Sequence, residues 1–246
     1  MNLKPLLLSA VVLTGMSTAA HAELNLGLNA SAYRLPYKGM DTEYFAFPAV
    51  NYKNEHVYFK GLGGGVYLLN SPKHELSLSA RYGARYFKPK DSDDRQLRQL
   101  DKRKNSVMAG VSYLYKDTWG EISAELQGDI ADNSQGYVAD LSYANTFVNG
   151  RFAVKPRVGV TYRDKKWNDY YYGVSSQESR KSGLDSYKAD GSVQPYAELT
   201  VSYAISPQWT TYASAYYEHL GKEGKDSPMT NRSYTGALST GVMYRF

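Results

Sequence analysis

The chain contains no cysteine among its 246 residues. Neither a disulfide framework nor a thiolate metal site can hold it, so the fold must close through backbone hydrogen bonds and packing. Beyond the first 22 residues there is also no apolar run of about 18 residues, the length a spanning helix needs. An excess of one charge is missing too: 29 Lys and Arg against 24 Asp and Glu leave +5, too little to imply a nucleic-acid partner. Tryptophan and phenylalanine are few, at 3 and 7, whereas tyrosine reaches 24. A tyrosine combines an apolar ring with a wet hydroxyl, which suits a boundary between hydrocarbon and water.

What is present begins with a processing segment. Lys4 supplies a positive start, Leu6 to Met16 a short apolar core, and Ala20-His21-Ala22 a small-x-small cleavage pattern. Residues 1–22 therefore read as a signal peptide and 23–246 as the mature domain. Loss of Lys4 lowers the formal charge from +5 to +4. Export without a spanning helix ends either in solution or in a β-barrel, whose strands need apolar residues only at alternate positions over about 10 residues.

The alternation is clearest at the end of the chain. Tyr234, Gly236, Leu238, Thr240, Val242, Tyr244 and Phe246 share one face of a period-two pattern, and Phe246 is terminal. Leu24, Leu26, Leu28, Ala30 and Ala32 do the same in the first strand, and Leu76, Leu78, Ala80, Tyr82, Ala84 and Tyr86 in a strand read over 76–87, with Ser77, Ser79, Arg81 and Arg85 inward. Further strands are expected at 44–52, 107–115, 122–130, 137–147, 152–162, 193–205 and 209–220. The apolar stretch 57–69 is interrupted by Gly61 and Gly63-Gly64-Gly65 and reads as a tight hairpin of two short strands. No Lys-Ser or Lys-Thr follows those glycines, which argues against a phosphate loop.

Splitting 57–69 makes the total twelve, and even parity favours twelve over eleven; ten is the alternative. The fold class is an all-β, transmembrane antiparallel barrel. Long loops near 96, 134, 178 and 227 are assigned to the external side. The short turns near 118, 149 and 207, with both termini, are periplasmic. Trp119 and Trp209 then fall on the same inner rim. Pro156 and Pro195 lie inside expected strands, where a closed barrel has no edge to hide a missing donor, so bulges or shifted boundaries are expected there.

Several strings resemble one family, the MltA-interacting protein/OmpV family of outer-membrane proteins. They are Leu100-Asp101-Lys102-Arg103, Asp132-Asn133-Ser134-Gln135-Gly136, Tyr170-Tyr171-Tyr172-Gly173-Val174-Ser175, Glu178-Ser179, Ser182-Gly183-Leu184, Asp226-Ser227-Pro228-Met229 and the closing Tyr244-Arg245-Phe246. The resemblance covers the mature chain in order. It implies residence in the outer membrane of a Gram-negative bacterium, contact with outer-membrane lipid, and a C-terminal aromatic read by the outer-membrane assembly machinery. It also implies a scaffold that, in the name-giving member, holds a lytic transglycosylase together with a bifunctional murein synthase, a penicillin-binding protein. A small-solute pore, or a surface or adhesion protein without a murein role, is the alternative.

Read as residues, the loop strings are plainer. Asp132, Asn133 and Asp226 carry ordinary turn chemistry, and a structural role competes with a binding one. Tyr170, Tyr171 and Tyr172 would be costly if exposed, so they either fold inward as a plug or form a binding surface. No catalytic set is expected: the mature chain's histidines, His56, His74 and His219, have no neighbouring nucleophile in sequence. Asp91, Asp93 and Asp94 alternate like a calcium loop but lack its glycine and distal glutamate, so no metal or cofactor is expected. Inside the barrel Arg81, Arg85, Arg151, Lys155 and Arg157 oppose Glu125, Asp129, Asp140, Glu198 and Glu218. These either pair into a salt-bridged plug or line a narrow aqueous path.

Overall fold

The computed structural model describes residues 22–83 and 85–246. The signal peptide expected over residues 1–22 therefore lies, except for Ala22, outside the described residues. The wall is built from β1 (Glu23–Arg34), β2 (Thr42–Lys53), β3 (Val57–Lys60), β4 (Gly63–Asn70), β5 (His74–Tyr82), β6 (Val107–Asp117) and β7 (Gly120–Asp129). It continues through β8 (Tyr137–Ala144), β9 (Phe147–Asn149), β10 (Phe152–Arg163), β11 (Ser192–Ala204), β12 (Trp209–His219) and β13 (Tyr234–Arg245). Every neighbour is antiparallel, and β13 pairs back onto β1 with Leu26 opposite Tyr244. The sheet is thus closed on itself, which pairs backbone groups without water and lets strands cross lipid.

β8 and β9 are one strand in two pieces, so the thirteen segments make twelve staves. The interruption answers Pro156. Ala144 faces Arg157 and Phe147 faces Val154, so the register is kept and the ladder merely lapses for two residues. The Asn145 N–H donates to the Pro156 carbonyl at 3.3 Å, which places the missing Pro156 donor on that side. A bulge is not needed. Pro195 precedes Tyr196, where the ladder to β12 begins.

Side chains follow the period-two expectation. Leu28, Leu238 and Val158 are 65%, 64% and 55% exposed on the outer face, an apolar skin that only hydrocarbon would cover. The inner face is small and polar: the hydroxyls of Ser31 and Ser239 lie 2.8 Å apart, and those of Ser79 and Ser112 2.7 Å. Tyrosine and tryptophan gather at two levels. At the end carrying both termini, Trp119 stacks on Tyr143 at 6.0 Å and Trp209 meets Tyr244 at 5.0 Å. At the other end, Tyr217 stacks on Tyr234 at 5.5 Å and Tyr137 packs on Tyr162 at 6.0 Å. Tyr234 and Tyr244 are ten residues apart on β13, about 33 Å along the strand and about 25 Å along the normal for a strand tilted by about 40°. That matches the apolar band of an outer-membrane barrel.

Two expectations need correction. The strand read over 76–87 stops at Tyr82. The Gly83 N–H still donates to Ser106 at 2.7 Å, but the chain then leaves the wall, carrying Arg85 and Phe87 into the interior. In the hairpin within 57–69, the turn is Gly61-Leu62, where Gly61 has φ +59°, a left-handed conformation that glycine adopts without strain. Gly63, Gly64 and Gly65 belong to β4.

Candidate functional site

The long loops, at the end opposite the two termini, fold into the barrel mouth. Helix α1 (Lys165–Tyr172) starts where the Asp164 carboxylate accepts the N–H groups of Trp167 and Lys166. Helix α2 (Ser176–Ser182) has a capping box between Ser175 and Glu178 and ends at Gly183, φ +73°. A short helix, α3 (Lys222–Lys225), closes the last loop. Between them lies an apolar core of Tyr37, Phe87, Leu97, Tyr171, Tyr172 and Met229 with further buried residues. Tyr37 packs 5.0 Å from Phe87 and 6.1 Å from Tyr172. Its hydroxyl donates to the Tyr171 carbonyl at 3.1 Å, and the Tyr171 hydroxyl to the Lys104 carbonyl at 3.0 Å. Burial pushes the Tyr37, Tyr171 and Tyr172 hydroxyls above the ordinary phenol range.

Of the tyrosine triplet, Tyr171 and Tyr172 are therefore inside this plug. Tyr170 sits at its edge, partly buried, accepting the Lys104 N–H at 2.8 Å. Asp132 and Asn133 stand apart from the triplet, in a loop organised by one carboxylate. Asp129 accepts the N–H groups of Ala131, Asn133, Ser134 and Gln135 at 2.6–3.1 Å, with Asp132 and Gln135 at positive φ. The Asn133 amide then ties the loop to the Asn105 carbonyl at 2.9 Å. Asp226 is exposed at the C-cap of α3, and its neighbour Ser227 donates to the Tyr172 carbonyl at 2.6 Å. The acidic run beside the calcium-like spacing is engaged locally: Asp94 accepts the Gln96 and Leu97 N–H groups, and Asp93 lies 3.6 Å from Arg98.

Charges lock the plug to the wall. Glu218 on β12, 1% exposed, meets Arg85 at 3.1 Å and Arg163 on β10 at 2.7 Å. Arg163 also donates to Gln194 at 2.6 Å and lies 4.6 Å above the Trp167 ring. A second buried pair, Arg103 to Glu178 at 2.7 Å, joins the 83–106 and 164–191 loops. Burial raises the Glu178 carboxyl, but the N–H groups of Ser175 and Asp101 and the Arg103 guanidinium outweigh it. Glu178 is held below the usual carboxylate range.

Beneath the plug the expected lumen cations Arg81, Arg157 and Lys155 are each paired, the last with Glu121, which was not among the expected acids. Arg81 lies 3.9 Å from Glu125, Arg157 3.8 Å from Glu198, and Lys155 2.5 Å from Glu121. Asp140 accepts the Thr161 and Tyr196 hydroxyls at 2.7 and 3.0 Å. The spaces that remain include one of about 360 Å³ under the plug and one of about 420 Å³ toward the short turns. Arg151, expected inward, sits instead in the turn before β10 and donates to the Ile205 carbonyl, because Gly150 at φ +60° turns the chain there. Sequence reasoning missed the burial of Phe87, read as the end of a strand, and of Leu97 and Arg103, whose stretch 88–104 read as a charged loop. The Leu97 and Leu100 spacing inside that stretch was the available signal.

A family model described as MltA-interacting protein MipA matches residues 26–246. The chain belongs to the MltA-interacting protein family. It is 41% identical over 246 residues to the MltA-interacting protein of Escherichia coli K12, covering 100% of this chain and 99% of that one. It is 39% identical over 231 residues to the putative outer membrane protein YiaT of the same strain, covering 94% of each. OmpV of Vibrio cholerae is more distant, 25% identical over 150 residues, with 61% and 58% covered. Among solved structures, the COG4313 outer membrane channel from Pseudomonas putida F1 aligns with a TM-score of 0.49 at 9% identity, over 94% of this chain and 97% of that one. The family's relatives are named as interacting or outer-membrane proteins, and this chain is an outer-membrane barrel.

Proposed function

We propose that this chain is a periplasm-facing docking protein that holds a murein-cleaving lytic transglycosylase, with a bifunctional penicillin-binding protein beside it, at the inner surface of the outer membrane. The observation that carries this is the 41% identity, end to end, to a protein named for its interaction with MltA. The fold supports it in a second way. With the external mouth packed by loops, the accessible ends of the staves are the short turns, and two of these present Trp119 and Trp209, 46% and 44% exposed. Large rings at a rim give a partner contact area at little entropic cost. Under this reading Asp132, Asn133, Tyr170 and Asp226 maintain the plug rather than hold a ligand.

The test is a pull-down of the tagged mature chain from detergent-solubilised membranes. Murein hydrolase and synthase should co-purify, and charge reversals at Lys73 and Asp117, which pair at 3.0 Å on that rim, should weaken the association. Absence of both enzymes would remove the scaffold reading. Steady conductance by the purified barrel in a planar bilayer would favour the pore instead.

A further inference from the structure

The barrel wall is incomplete in its external half. β3 is four residues long and pairs only with Asn51–Lys53 of β2 before the chain turns at Gly61-Leu62. β2 continues to Thr42, laddered to β1 throughout. Among the described residues, Thr42–Ala49 has no strand on its other side. The opposite jamb is the end of β5, where the Tyr82 N–H donates to the Leu62 carbonyl at 3.0 Å. Overhead the opening is bounded by the Tyr86 hydroxyl, which donates to the Glu43 carboxylate, and by the bridge of Met40 to Ser92. Two staves are missing across this gap, so it is about 14 Å wide just above the Gly61 turn.

Unpaired strand edges attract further strands, but this edge is blunted. The Val50 carbonyl accepts the Gly61 N–H at 3.1 Å, so even-numbered residues of β2 point their backbone groups away from β1. Pro48, in the middle of the open edge, has no donor to offer. Tyr44 and Tyr82 stand on either side, 79% and 49% exposed, at the external aromatic level. The opening therefore lies at the outer interface, where the acyl chains of the outer leaflet meet their headgroups.

Its interior is chemically distinct from the rest of the lumen. Phe45 and Phe47, paired with Ser31 and Asn29, point inward, and Phe45 is 41% exposed although it faces the barrel interior. Just inside the sill is a cavity of about 320 Å³ lined by Lys60, Leu62, Arg81 and Tyr82 among others. Lys60 pairs with Asn51, points inward, and makes no ion pair among the described residues, whereas Arg81 is occupied by Gln127 at 2.5 Å and by Glu125.

We propose that this lateral opening admits a single-chain anionic amphiphile, such as a fatty acid, from the outer leaflet, with its tail against Phe45 and Phe47 and its carboxylate at Lys60. This does not depend on the scaffold reading. The amphiphile reaches the lumen sideways, bypassing the plug.

The mature protein in lipid nanodiscs, exposed to a fatty acid carrying a photoreactive diazirine in its tail, tests this by peptide mapping of the adducts. Adducts should fall on Phe45 and Phe47, excess unlabelled fatty acid should abolish them, and the methyl ester of the probe should label about tenfold less, the effect of one lost charge-assisted contact. Lys60→Gln should lower labelling similarly and Lys60→Arg should restore it, with heat-modifiable migration checking that each variant folds. Adducts confined to the outward Tyr44 and Ala46, or equal labelling by acid and ester, would each overturn the proposal.

Discussion

Glu218→Gln removes one negative charge from between two guanidinium groups that the fold cannot separate. Arg85 and Arg163 approach the Glu218 carboxylate at 3.1 and 2.7 Å, and the three side chains are 7%, 11% and 1% exposed. Glutamine keeps an acceptor for one of them and for nothing more. Breaking a buried ion pair from one side typically costs about 3–5 kcal/mol, because the partner charge is left uncompensated. The barrel ladder does not depend on this contact, so the strain should be released by local opening of the plug, with the 83–106 segment carrying Arg85 outward. At about 1.4 kcal/mol per tenfold, the open population should rise by about two to three and a half powers of ten. A thiol placed at Val174, 2% exposed, reports it: labelling of Val174→Cys by a water-soluble maleimide should accelerate by that factor in the Glu218→Gln background. Adding Arg85→Gln should recover much of the loss by restoring charge balance. If the labelling rate changes by less than about threefold, the triad is not what keeps the mouth shut.

Acid should loosen the same plug through Glu178. Its folded carboxyl titrates below its unfolded value, so its contribution is complete above about pH 4.3 and is lost as pH falls through the folded value. Val174→Cys labelling, taken relative to a fully exposed cysteine at the same pH to cancel the falling thiolate fraction, should quicken only on that acid side, and Glu178→Gln should flatten the pH dependence. Phe246→Ala should lower outer-membrane levels in cells while leaving detergent refolding nearly normal. The ring is 71% exposed and packs mainly on Tyr244 at 4.8 Å, and the Phe246 N–H still donates to the Leu24 carbonyl; wild-type levels would show that the terminal aromatic is not an assembly signal here. Cysteines at Ser176 and Lys225 should react with an impermeant reagent on intact cells, and one at Gln208 should not, the reverse pattern inverting the assigned orientation.

Period-two alternation made the wall legible because lipid outside and packed polar groups inside impose opposite demands on successive residues. Leu24 to Ala32 and Tyr234 to Phe246 obey that rule along their whole length, and the β1–β13 closure joins these two strands. The twin tryptophans at 119 and 209 fell on one rim because their turns are short. The plug was much less legible. Its residues come from separate loops with no shared period, and Phe87 looked like the end of a strand because the alternation runs on past Tyr82.

What the sequence determined by itself is the closed, lipid-facing barrel, its even number of staves and the tryptophan rim at the short turns, since each is a local consequence of alternation and of turn chemistry. Only the tertiary structure decided that Tyr171 and Tyr172 lie inside the mouth, that Arg85 and Arg163 share Glu218, and that the β3–β4 hairpin stops half-way up the wall. The physical reason is the same in all three. Burial of a loop side chain, neutralisation of a buried charge and the reach of a short hairpin depend on which distant segments meet, in one case residues 133 positions apart, and no window of neighbouring residues carries that information.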